Sequence, residues 1–244
     1  MFEQQHLFYL LIPLVAFLYS SVGHGGASGY LALMVFFSFP IDIMKQTALT
    51  LNLFVAGIAF YQYYKAGYFN KSLFYYFTIS SVPSAFIGGY WSSNPWFYKK
   101  ILGGILFFAV LRLLYKKDVE DLKTKKIPIP IALIIGMTIG YFSGLIGIGG
   151  GIILTPIILF FRWGKMKEAA GVSALFIWVN SLSGLSGQII SGVNLNTNTF
   201  FLVGLAFLGG IVGSYYGSHR WKTRRLEYFL ALVLTLAGIK LILF

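Results

Sequence analysis

Cysteine is absent from this 244-residue chain. Its absence removes disulfide frameworks, zinc–thiolate sites, iron–sulfur clusters and cysteine nucleophiles in one step. Acidic side chains are scarce, with 7 Asp and Glu against 19 Lys and Arg, a formal net charge of +12. Charged residues of both signs make up only 11%, where soluble domains carry about 25%. A soluble globular protein is excluded on that ground. A basic soluble protein would suggest nucleic acid as partner. Here the positive charge sits in short loops between apolar runs, which points to the lipid bilayer instead. No nucleic acid, metal or cofactor is expected. The three histidines, His6, His24 and His219, lie far apart in sequence, and no carboxylate falls in the middle of an apolar run. A convergent acid, base and nucleophile set is therefore missing, and an enzyme is not expected.

What the chain has is apolar length. Residues 7–39, 46–64, 72–98, 127–161 and 169–218 are free of Lys, Arg, Asp and Glu, the last run breaking at the polar stretch Ser191–Thr199. Two more apolar runs, about 96–115 and 226–244, carry charge only near their ends. A helix needs roughly 20 apolar residues to cross the hydrocarbon layer. The pattern predicts an all-α polytopic membrane protein. No Lys or Arg precedes Lys45, so the first run does not look like a cleaved signal peptide.

Residues 7–39 and 127–161 are too long for one helix and short for two. Each is interrupted by glycine, VGHGGASG at Val22–Gly29 and GLIGIGGG at Gly144–Gly151. Glycine clusters break helices, and irregular backbone survives in a membrane only where protein or a cavity surrounds it. Each run is therefore expected to be a pair of short helices meeting at an intramembrane break. The basic residues support this. If each long run enters and returns to the same side, 15 of the 19 basic residues share one face, including the Lys116–Lys126 linker. Single crossings would spread them almost evenly. The lysine-rich face is the cytoplasmic one, which places both termini outside. Hairpins that turn midway and pairs of short full crossings satisfy this count equally.

The two halves resemble each other at an offset of about 124–125. VGHGGA (Val22–Ala27) lies over IGIGGG (Ile146–Gly151), Phe36-Phe37 over Phe160-Phe161, and Ala66-Gly67 over Ser191-Gly192. Further on, IGGYWSS (Ile87–Ser93) lies over VGSYYGS (Val212–Ser218). Ser84, Gly88 and Ser92 match Gly209, Gly213 and Gly217, a small-residue stripe suited to close helix packing. With an odd number of crossings per half, consecutive halves insert upside-down. The expected organisation is a first transmembrane repeat over 1–115, a cytoplasmic basic linker over 116–126 and a second repeat over 127–244. Each repeat is a glycine-broken, hairpin-like pair followed by three transmembrane helices. Inverted repeats with broken helices in matching places are a signature of secondary transporters.

A helix break exposes backbone N–H groups and positive dipole ends, and glycine lets a ligand approach the backbone. That suits an anion. The candidate binding residues are Gly23, His24, Gly25, Gly26 and Ser28 in the first half, with Gly147, Gly149 and Gly150 in the second. His24 has Ile148 as its counterpart, so the symmetry breaks where a specific site needs it to. Gln46, Thr50 and Asn52, and Ser173 in the second half, add side-chain hydrogen-bonding groups; Gln46 and Thr50 share a helix face. Asn180 and Gln188 should also face the interior. Without a midspan carboxylate, His24 is the natural proton carrier if a proton is coupled.

These features, above all SSVGHGGAS and the segment Gly144–Pro156, resemble the TauE/SafE family of sulfite exporters, also called the TSUP family of membrane permeases. The resemblance covers nearly the whole chain. It implies transport of sulfite, sulfonates such as sulfoacetate, or other small organic anions, in a bacterial plasma membrane. The family's Gly-Thr-Ser reads Gln46-Thr47-Ala48 or Thr50-Leu51-Asn52 here, and Gly171-Val172-Ser173 in the second half. An anion channel is the rival reading, and a homo-oligomer is left open.

Overall fold

A backbone segment in lipid has no water to bond, so it satisfies its own N–H and C=O groups as helix. The computed structural model describes residues 2–91, 94–114, 124–194 and 198–219, together with Thr235 and Ile239. Among the described residues every regular element is helical. In chain order they are α1 (Phe2–Ser20), α2 (Ala27–Phe36), α3 (Ile41–Lys65), α4 (Lys71–Tyr90), α5 (Pro95–Leu114), α6 (Ile129–Ile146), α7 (Gly151–Phe160), α8 (Met166–Ile190) and α9 (Asn198–His219). The expected last helix, 226–244, and most of the basic linker lie outside the described residues.

Among the described residues, four helices are long and apolar enough to cross a bilayer: α3, α6, α8 and the Thr199–His219 part of α9. Large apolar side chains such as Leu10, Ile79, Ile134, Phe160 and Leu208 point outward and stay exposed, as they do on a surface that meets lipid tails.

Each long charge-free run is broken at its glycines. α2 and α7 have 10 residues each, a length of about 15 Å, half the hydrocarbon thickness. Both fold back beside the helix before them. Phe37, just past α2, stacks edge-on against Phe8 of α1 at 5.3 Å, and Phe39 lies 4.9 Å from the same ring. In the second pair the Lys125 N–H, ahead of α6, donates to the Arg162 carbonyl past α7 at 2.8 Å. Each pair thus ends where it began. That return to the starting side is what the lysine count required of each long run.

The ends of matching helices are built alike. After α2 the N–H groups of Phe37, Ser38 and Phe39 bond to Leu33, Val35 and Met34, with Ser38 at φ 57. After α7 those of Phe161, Arg162 and Trp163 bond to Ile157, Leu159 and Ile158, with Arg162 at φ 61. These are left-handed helix stops, made here with non-glycine residues.

Packing crosses between the halves. α6 lies along α4 and α9 along α1, while α3 and α8 pack on each other and on α9 and α4 respectively. Glycine makes the first two contacts possible. A Cβ on Gly136, Gly140 or Gly144 would overlap the carbonyl of Phe77, Ser81 or Ala85 on α4. A Cβ on Gly209, Gly213 or Gly217 would likewise overlap that of Pro13, Phe17 or Ser21 at α1. The small-residue stripe is a packing surface, as its spacing predicted; Ser92 lies outside the described residues.

One residue departs from its expected place. Lys45, counted with the loops, lies within α3 and is only 8% exposed. The helix starts at Ile41, behind Pro40 in extended conformation, and so takes Lys45 into its second turn. Its ammonium lies 4.8 Å from the centre of the buried Tyr98 ring, a cation–π contact that partly replaces water.

Candidate functional site

The first break turns at Gly23 (φ 76) and Gly26 (φ 96), the second at Gly147 (φ 91), Gly149 (φ 74) and Gly150 (φ 80). These left-handed values strain any residue with a Cβ. Space is equally short. At Gly23 a Cβ would stand 2.6 Å from Ala170 of α8, and at Gly147 it would press on the Lys45 backbone of α3 at 3.0 Å. Each break is therefore seated on a helix of the other half.

The breaks meet at Asn52, which is fully buried on α3. Its Oδ1 abuts Gly25, while its Nδ2 lies 2.5 Å from where a Gly149 Cβ would be. The same amide N–H2 donates to Ser181 Oγ at 3.2 Å and to the Ile148 carbonyl at 3.4 Å. Ile177 of α8 touches Gly25 and Gly149 as well. Asn52, Gly25 and Gly149, expected at the site from sequence, are thus brought together, and Ile177 and Ser181 join them.

A second cluster forms around His24, which is 2% exposed. Its Nδ1 lies 3.0 Å from the Val22 carbonyl. Its Nε2 lies 3.2 Å from the Gly151 carbonyl and 3.3 Å from Thr155 Oγ1. Thr155 Oγ1 is in turn 2.8 Å from Ser173 Oγ. This chain links the first break to α7 and α8. A third group surrounds the start of α2, where Ser28 donates to the Tyr19 hydroxyl at 2.8 Å. The Tyr30 ring stands where a Gly26 side chain would be.

Neither α2 nor α7 has a side-chain cap: both N-cap positions are left-handed glycines, Gly26 and Gly150. Three buried polar atoms beside the breaks have no hydrogen-bond partner among the described residues: Asn52 Oδ1, the Tyr30 hydroxyl and Ser143 Oγ. Tyr30 adjoins Gly26, and Ser143 adjoins Gly150. Buried polar groups are nearly always satisfied, so a cluster of unsatisfied ones marks a place suited to a polar ligand.

Two expected residues are less available. Thr50 donates its hydroxyl hydrogen to the Gln46 carbonyl one turn back, at 2.8 Å. Asn180 similarly donates to the Phe176 carbonyl at 2.8 Å. Gln46 is buried beside Lys45 in α3. Lys45, Thr155 and Ser181 escaped sequence reasoning. Ser173, Ile177 and Ser181 recur every fourth residue along α8, a face signal, and Thr155 stands in the segment Gly144–Pro156 itself. Lys45 stands with Asp42 at the head of α3, just before the charge-free run 46–64. An apolar groove of about 450 Å³, lined by Leu53, Phe54, Ile58, Trp178, Leu182 and Phe207, has no charged side chain in its lining.

Residues 8–241 match the family described as Sulfite exporter TauE/SafE. The chain belongs to the TauE/SafE family. Among curated relatives, a probable membrane transporter protein, y4hK of Sinorhizobium fredii, is 34% identical over 93% of this chain and 94% of its own length. The probable membrane transporter proteins YunE and YjnA of Bacillus subtilis are 24% and 23% identical. Those alignments span 91% and 90% of this chain, and 92% of each relative. No solved structure matches. Together with its apolar helices, membership of TauE/SafE makes this an integral membrane protein of a transporter family.

Proposed function

We propose that this chain is a secondary transporter that carries a small anionic sulfur compound, sulfite or an organosulfonate such as sulfoacetate, across a bacterial plasma membrane. The observation that carries the reading is the junction at Asn52. Two buried hairpin tips, with uncapped helix starts at Gly26 and Gly150, converge there beside three unsatisfied polar atoms. Helix N-termini present N–H groups and positive potential to an anion, and no Asp or Glu stands in these hairpin tips to repel it.

The chain is read as two inverted-topology repeats, 1–115 and 127–244, with both termini outside and the 116–126 linker in the cytoplasm. The reciprocal pairing of α1 with α9 and α6 with α4, and the matched left-handed residues Ser38 and Arg162, support that reading. Alternating access then opens the junction to one face and closes it to the other. Gly23, His24, Gly25, Gly26, Ser28, Asn52, Gly147, Gly149, Gly150 and Ser173 line or shape the site, with Gln46 and Thr50 behind it.

Reconstitution into liposomes tests the function. Saturable sulfite or sulfoacetate uptake with counter-exchange is the expected result. A large ohmic anion current would identify a channel instead, and the absence of flux for every sulfur oxyanion and short carboxylate would overturn the assignment.

A further inference from the structure

α3 and α8 run antiparallel, and their contacts fix the register of the seam between them. A Cβ on Gly171 would stand 3.5 Å from Tyr63, and one on Gly57 would stand 3.1 Å from Trp178. Asn52 donates to Ser181 at 3.2 Å. A Cβ on Gly184 would stand 3.5 Å from Leu49. Residues four apart share a helix face. One turn beyond Leu49 and Gly184, the register therefore sets Lys45 across from Gln188. Both are buried, at 8% and 4% exposure. The Nε2 of Gln188 has no hydrogen-bond partner among the described residues.

The elbow of the second break closes this end of the seam. A Cβ on Gly147 would press on the Lys45 carbonyl at 3.0 Å, and one on Gly184 would stand 3.0 Å from the Gly144 Cα. Tyr98, whose ring meets Lys45, donates its hydroxyl hydrogen to the Ile146 carbonyl at 3.1 Å. The first break has the same elbow at the other end of the seam. At the offset of 125 residues, Ala170 takes the place of Lys45 and Tyr63 that of Gln188. There Ala170 packs against Gly23, and Tyr63 donates to the Ser21 carbonyl at 2.9 Å. The fold thus builds one elbow twice. One copy is sealed by a methyl group and a satisfied hydroxyl. The other holds a cation and an amide with unused hydrogens.

Building on the transport reading above, we propose that Lys45 and Gln188 form a second anion station, an entry site on one side only of the Asn52 junction. A sulfonate or another oxyanion offers acceptors alone, and both of these side chains offer donors. An ammonium carries three hydrogens, so Lys45 keeps the contacts it already makes and still donates to an oxygen of the anion. Asp42, one turn earlier, is exposed. Seven residues of α3 separate Lys45 from Asn52, a rise of about 10 Å. A cation set in a low-dielectric wall draws anions from water and turns cations away. The station therefore sorts by charge before the junction sorts by shape. On the topology read above, it faces outside.

The lack of native cysteine makes the station directly testable. Gln188→Cys in the full chain, reconstituted in liposomes, is treated with two methanethiosulfonates, one bearing a sulfonate and one a quaternary ammonium. Each rate is divided by that reagent's rate with a free thiol in water. The sulfonate reagent should react at least about tenfold faster, and sulfoacetate should slow it. Adding Lys45→Met should bring the two rates together, while Lys45→Arg should keep the preference. Equal rates with Lys45 in place, no protection by sulfoacetate, a preference that survives Lys45→Met, or no reaction with either reagent overturns the proposal. Equilibrium dialysis of the unsubstituted, detergent-purified protein against labelled sulfoacetate needs no variant. Two anions bound per chain are expected, and one or none overturns the second station. Absence of anion flux in liposomes defeats the transport reading, whereas labelling and dialysis still decide whether this end of the seam holds an anion.

Discussion

Asn52 and Ile177 touch the same two glycines, Gly25 and Gly149, from α3 and α8. They stand 125 residues apart, the offset at which the halves align, so one position offers an amide where its counterpart offers a branched alkyl group. The polar side of the junction is thereby assigned to Asn52. Asn52→Leu removes the donors to Ser181 and to the Ile148 carbonyl and fills the space with carbon. We expect anion uptake to fall at least about tenfold, the size of effect when a buried hydrogen-bonding pair of groups is lost, with the protein still reaching the membrane. Uptake assays normalised to membrane-inserted protein check this.

Gly213 and Gly204 lie in the same helix with opposite surroundings. A Cβ on Gly213 would overlap the Phe17 carbonyl, while one on Gly204 meets nothing within 4 Å. Gly213→Ala should lower stability by about 1–3 kcal/mol by overpacking. Gly204→Ala should be neutral or raise it by about 0.5–1 kcal/mol through helix propensity. Thermal unfolding of the detergent-purified variants compares them.

Ser38 and Arg162 hold φ values of 57 and 61, where glycine is preferred. Ser38→Gly and Arg162→Gly should each stabilise by up to about 1–2 kcal/mol, the penalty a Cβ incurs in the left-handed region. Unchanged or lowered melting temperatures for both would contradict the strain assignment.

Because the chain has no native cysteine, single-cysteine labelling reads topology without background. His6→Cys and Lys125→Cys should react with impermeant maleimide from opposite faces. Arg162→Cys should react from the same face as Lys125→Cys, since the two backbones are bonded at 2.8 Å. Labelling of positions 6 and 125 from one face would defeat the inverted arrangement.

Thr155→Val and Thr155→Ser separate shape from hydrogen bonding at the His24–Ser173 link. Valine keeps the volume and loses the hydroxyl; serine keeps the hydroxyl. We expect about a tenfold loss of uptake for valine, the weight of roughly 1.4 kcal/mol, and near wild-type uptake for serine. Equal losses in both would assign Thr155 a packing role.

The helical class and the glycine breaks were legible because lipid removes alternatives: a long uncharged run must be helix, and a glycine cluster within it must be a break. Asn52 was legible as an interior amide. The return of each broken run was legible in the lysine count, but the contacts that close it, Phe8–Phe37 and Lys125–Arg162, are tertiary and were not. Lys45 misled because a charge at the head of an apolar run reads as a loop, whereas Tyr98, more than 50 residues on, shelters it. Thr155 hid among aliphatic neighbours, and its meeting with His24 is 131 residues apart in sequence.

The exchange of partners, α9 laid on α1 and α4 laid on α6, has a mechanical consequence. Neither sequence half can swing as a rigid piece without tearing glycine-to-carbonyl seams that admit no slack. Under the proposed alternating access, the units that shift would be hybrids, each hairpin moving with a brace from the opposite end of the chain. Sequence halves and moving halves would then be different objects, and severing the polypeptide between the two sequence halves should leave two fragments that work only when made together.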